Sequence, residues 1–190
     1  MDKSQQQIYV IELNMKTIMR ETLYLTGFSF LILILLQMMI HGAFSYSFNL
    51  FTIILDFMIF SAGYLVLLVL HEFFHLLGFR IFSNVPWRRM KVGVNLKLGI
   101  AYATTDQLMT NRAIRKSLLL PFWLTGIVPA IIGLAIDSTL LLILAAFLIG
   151  GASGDFSMYR QLKVFPNHWT VRDHPSEPKL SIFPNEKIHV

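Results

Sequence analysis

Two histidines stand four residues apart in the run His71, Glu72, Phe73, Phe74, His75, with a glutamate directly after the first. On an α-helix, positions i and i+4 are neighbours on one face, so both imidazoles can reach one ion while the glutamate reaches a water beside it. The chain of 190 residues has no cysteine, which excludes disulfides, iron–sulfur clusters and thiolate zinc sites. A metal must then be held by His, Asp, Glu or backbone oxygen, and Zn2+ suits two imidazoles with a third ligand. In that arrangement Glu72 is a general base for hydrolysis. The plainer alternative has these groups facing lipid headgroups or pairing with Arg80 or Arg88.

The surroundings of the motif set its context. Hydrophobic residues make up 55% of the chain and charged residues only 14%, with a net charge of +5. A soluble domain carries about a quarter charged residues, so this composition indicates a membrane protein. No charge occurs between Glu21 and Asp56, and the polar cluster Ser45 to Asn49 divides that run. Spans are expected from about Leu25 to Phe44, from Leu50 to about Leu77, from Ser117 to Ile136 and from Thr139 to Gly154. The mixed charges of the first 24 residues argue against a removed signal peptide.

Lys and Arg collect on the cytoplasmic side of membrane proteins. Three precede the first span, eight lie between the second and third, five follow Asp155, and none lies in the two short turns. Both termini and the middle loop are therefore expected in the cytoplasm. The expected fold class is an all-α integral membrane protein of four transmembrane helices, with a small cytoplasmic β-strand or hairpin between the second and third. Residues 1–24 form a cytoplasmic N-terminal segment, 25–163 the four-span domain and 164–190 a cytoplasmic tail. The basic balance suits the lipid bilayer, with no nucleic-acid partner.

Depth in the membrane restricts the third ligand. His71 lies about 31 Å down the second span and Asp155 about 25 Å down the fourth, a difference of roughly one turn. Ala146, Gly150 and Gly154 form a small stripe expected to pack the fourth span against the second. Asp155 thereby joins His71 and His75, the bland alternative being a helix-end aspartate beside Arg160. Asp56 is about 22 Å from His71 along the helix and is too far to share its ion. In the tail, Asp173, His174 and Pro175, with His168 and Glu177, are either a solvated turn or a group folded back towards the site. Between the spans, Met90, Val92, Val94, Leu96, Leu98, Ile100 and Tyr102 alternate with Lys91, Asn95 and Lys97, a β pattern. It makes one strand or a hairpin turning near Asn95, its apolar face resting on the helix ends, and a helix is expected from about Thr105.

With H-E-x-x-H on one span and Asp155 on a later one, the sequence resembles the site-2 protease group of intramembrane metalloproteases. More closely, from about Leu50 to Pro175, the span order, the middle β segment, the stretch Gly151 to Asp155 and Asp173-His174-Pro175 resemble a bacterial membrane family described as putative zincin peptidases. The resemblance implies His71, His75 and Asp155 as zinc ligands, Glu72 as general base, and a membrane-protein or peptide substrate. It departs from the better-known members in lacking Asn-x-x-Pro and Leu-Asp-Gly, and in placing Phe79 where alanine is common. Three rivals carry different signatures. A cytoplasm-facing metalloprotease would draw a third ligand from Glu177 or Glu186. A non-proteolytic metal-binding protein would not need Glu72. A divalent-metal transporter would need polar groups continuing across the spans, which offer only Gln37, His41 and Asp56.

Overall fold

A computed structural model of the chain describes residues 8–42, 49–95, 100–174 and 177–184. Phe44, the polar cluster from Ser45 to Phe48, Leu96 and Leu98 of the alternating segment, Pro175 and Glu186 lie outside these residues. Among the described residues, four helices are long and apolar enough to cross a membrane: Met15–His41, Leu50–Ser83, Asn111–Ala135 and Thr139–Leu162. The first two are the continuous helices α1 and α2. The third consists of α3 (Asn111–Pro121), a π-helical turn (Phe122–Ile127) and α4 (Val128–Ala135). The fourth is α5 (Thr139–Gly151) and α6 (Ser153–Leu162), broken at Ala152.

The chain forms two compact units, and the change from one to the other falls within α2, between His71 and Glu72. One unit comprises Lys16–His71 and Pro121–Ser153. Its core is made largely of small and aliphatic residues, with Leu33, Ala130, Leu142, Ala145, Ala146 and Ile149 buried together. The small stripe of α5 receives α1: a Cβ built on Gly150 would fall 1.8 Å from Thr26 Oγ1 and 3.0 Å from the Thr22 carbonyl oxygen. This corrects the expected partner, because α2 meets α5 through bulkier groups, Phe60 and Tyr64 against Phe147 and Gly63 against Leu144. Thr22, on α1, also shares a 2.6 Å hydrogen bond with Ser153. A polar clamp of this kind needs the close backbone approach that glycine allows.

The other unit comprises Met1–Met15, Glu72–Leu120 and Gly154–Val190. It carries a four-stranded antiparallel sheet in the order β1 (Tyr9–Glu12), β6 (Lys179–Phe183), β5 (Thr170–Asp173), β4 (Met109–Thr110). Ile11 opposes Leu180, Ile182 opposes Val171, and Val171 opposes Met109. These side chains are buried with Phe79, Ile114, Leu118 and Leu162 in one core. Most of this sheet was not expected, since its strands are short and pair across most of the sequence. The tail thus supplies two of its strands. The helix expected from Thr105 begins instead at Asn111, after β4, where the Thr110 hydroxyl caps the Ala113 amide at 3.2 Å.

The alternating segment forms an antiparallel pair, β2 (Met90–Asn95) with β3 (Ile100–Thr105), in the register Asn95 to Ile100 and Met90 to Thr105. The hairpin alternative therefore holds over the single strand. Val92 and Val94 stand exposed, so the apolar face of β2 does not rest on helix ends as expected.

Candidate metal centre

His71 and His75 lie one turn apart on α2, and Asp155 lies in the first turn of α6. One ligand atom from each lies within 4.8 Å of the other two, a group that could hold a metal ion. All three are withdrawn from solvent, as is Glu72. His75 Nε2 lies 3.4 Å from Asp155 Oδ1. The break at Ala152 places Asp155 at a helix start, where the positive end of the peptide dipoles favours a carboxylate.

The outward nitrogen of each ring is already committed. His75 Nδ1 lies 3.1 Å from the Ser117 carbonyl oxygen, which can only accept, so Nδ1 carries the proton. His71 Nδ1 lies 3.2 Å from Thr125 Oγ1, and the Thr125 hydroxyl donates its one proton to the Pro121 carbonyl at 2.9 Å. Thr125 is therefore an acceptor towards His71, and that Nδ1 is protonated too. A neutral ring with its proton on Nδ1 carries its lone pair on Nε2, the form a metal ligand requires.

Pro121 organises both contacts. Its nitrogen has no proton, so within the helix the Ser117 carbonyl has no donor four residues on, and His75 uses that carbonyl. The π-helical turn that follows carries Thr125, the hydrogen-bond partner of His71. Close approach of α3 to α2 rests on Gly78, where a Cβ would fall 2.8 Å from Ser117 Cα. Ser117, Pro121 and Thr125 recur every four residues, a stripe legible in the sequence but passed over as part of an apolar span. Gly78 gave no signal.

The tail candidates divide. Glu177 pairs with Lys179 at 2.7 Å, and the Glu177 amide donates to His174 Nδ1 at 3.0 Å. His168 is exposed. Asp173, at the end of β5, folds back: burial pushes its carboxyl up to about 7, against the Thr104 hydroxyl and the His174 backbone, and it also feels the charges of His75 and Glu72. Thr104, which also donates to the His174 carbonyl at 3.3 Å, was missed from sequence. At the far end of the helices Gln37 donates to Asp137 at 2.7 Å, and His41 Nε2 meets the Leu134 carbonyl at 2.7 Å. His71, His75 and Asp155 form the one such ligand group among the described residues.

The donor set of two imidazoles and a carboxylate fits zinc. Residues 64–169 match a family model described as "Putative zincin peptidase". No curated protein and no solved structure matches the chain.

Proposed function

The chain belongs to the family of putative zincin peptidases, and from that premise we propose that it is a membrane-embedded zinc peptidase of the site-2 protease type, with its site near the cytoplasmic interface. The observation that carries this reading is the ligand group of His71, His75 and Asp155, with the Nδ1 atoms of the two rings held by Thr125 and Ser117. Zinc held there would supply Lewis acidity, polarising a scissile carbonyl and making water a nucleophile at neutral pH. Glu72 takes the proton of the attacking water and passes it to the leaving amine. Its burial excludes competing solvent. His71, His75 and Asp155 would hold the ion, and Ser117 and Thr125 orient the two rings.

Four apolar helices with outward-facing Leu, Ile, Val and Phe suit a bilayer, and the distribution of Lys and Arg supports a topology with both termini and the β-rich unit in the cytoplasm. The β2–β3 hairpin, with Val92 and Val94 exposed, offers an edge to an extended segment of a membrane-associated substrate. A glutamate third ligand is disfavoured because Glu177 is engaged by Lys179.

Metal analysis of the purified chain, alongside cleavage of single-span substrates, tests the reading. Glu72→Gln is expected to keep its zinc and lose roughly 10²-fold or more of its hydrolysis. Equal turnover by Glu72→Gln would leave a metal-binding protein without this mechanism. Asp155→Ala is expected to lose both stoichiometric zinc and activity, and Asp155→His to keep some metal.

A further inference from the structure

In the β-rich unit, Arg112, Arg115, Lys116, Leu119, Tyr159 and Asn167 line an open cleft of about 490 Å³. Three cations share it, no carboxylate lines it, and none of the three makes an ion pair among the described residues. Arg115 is held in place: it donates to Asn167 Oδ1, its guanidinium lies 5.8 Å from the Tyr159 ring centroid, and its buried Nε has no hydrogen-bond partner among the described residues. Lys116 Nζ lies 5.4 Å over the Phe82 ring. The amides that open α3 are already used, Asn111 on the Trp169 carbonyl, Arg112 on the Asn167 carbonyl and Ala113 on Thr110. Attraction for an anion therefore comes from the side chains.

Concentrated like charges repel until an anion joins them. A phosphate group is such an anion, with an edge of oxygens for the arginine fork and negative charge for the cluster. Leu119, one turn beyond Arg115, adds an apolar wall where the uncharged part of the helix begins. We propose that this cleft binds a phosphate group, carried either by an anionic phospholipid or by free phosphate. The site is separate from the metal centre, and the proposal does not depend on peptidase activity.

The test titrates the full chain, purified in a non-ionic detergent, by calorimetry with dihexanoyl phosphatidylglycerol, with dihexanoyl phosphatidylcholine and with inorganic phosphate. The anionic lipid, inorganic phosphate or both are expected to bind saturably, and more weakly as salt is raised. Arg115→Gln should weaken binding by about 10-fold or more, and the double variant Arg112→Gln with Lys116→Gln by at least as much, with zinc content unchanged. Lipid binding that phosphate does not displace assigns the site to a headgroup, and displacement assigns it to the phosphate group alone. Should Arg115→Gln lower the thermal midpoint, the double variant of the two exposed cations carries the test. Absence of saturable binding by the wild type, equal binding of phosphatidylcholine, or unchanged affinity in the double variant would overturn the proposal.

Discussion

The two units hide their apolar residues to very different degrees. In the β-rich unit Met109, Val171 and Ile182 are 0% exposed, and the sheet closes over them as in a water-soluble domain. In the helical unit the most apolar stretch of α2 buries none of its residues, and Leu65 is 62% exposed. An aqueous protein rarely leaves an apolar surface so large uncovered. One chain therefore carries two solutions to the same composition, one organised by exclusion of water and the other by close helix contacts at Gly150 and Gly63. The proposed bilayer supplies the solvent that the second solution needs.

The largest effect expected from this contrast is all-or-none. A cysteine introduced at Ser138, in the turn of the helical unit, should be labelled from outside intact cells, and one at Asn95, in the hairpin, should not. The reverse pattern would invert the topology. Next come two substitutions of opposite sense. Ile182→Ala should cost about 2–5 kcal/mol of stability, read in a denaturant melt, because it empties a fully buried site. Leu65→Lys should cost about 2.5–3.5 kcal/mol in a membrane-insertion assay, whereas it would be nearly neutral if that face met water. Gly150→Leu should destabilise by about 1–3 kcal/mol, since the new side chain meets Thr26 and the Thr22 carbonyl and pushes α1 away.

The smallest effect lies in pH. Asp173 has its carboxyl pushed up to about 7 in the fold by burial, so the folded state keeps a proton that the unfolded chain releases near pH 4. Its stabilising contribution is complete below about pH 4 and is lost as pH rises through about 7. The thermal midpoint of zinc-stripped protein should therefore fall between pH 5 and pH 8, and Asp173→Asn should flatten that slope. An unchanged slope in Asp173→Asn would place the titration elsewhere.

The helical unit was far more legible in sequence than the β-rich one. Runs without charge announce long apolar helices directly, and H-E-x-x-H needs only local helix geometry to bring two rings together. The pairing of Tyr9–Glu12 with Lys179–Phe183 has no local sign, since strands of 4 and 5 residues nearly a full chain apart are stabilised by a shared core and not by their own pattern. The stripe at Ala146 and Gly150 announced a close approach correctly, but small residues do not say which helix approaches. In the same way the role of Ser117 depends on a missing proton at Pro121 and that of Thr125 on the Pro121 carbonyl, which composition and hydropathy do not register.

That missing proton also bears on how the centre survives without its ion. Many small metal-binding domains are unstructured until the ion arrives, so a chelator unfolds them. Here the chain itself restrains both rings, through a carbonyl released by Pro121 and a hydroxyl in the turn after it. Little ordering entropy is left to be lost on loading. Stripping and reloading should accordingly be a reversible exchange within a standing fold, and the histidines would pass between the two states with their orientations kept.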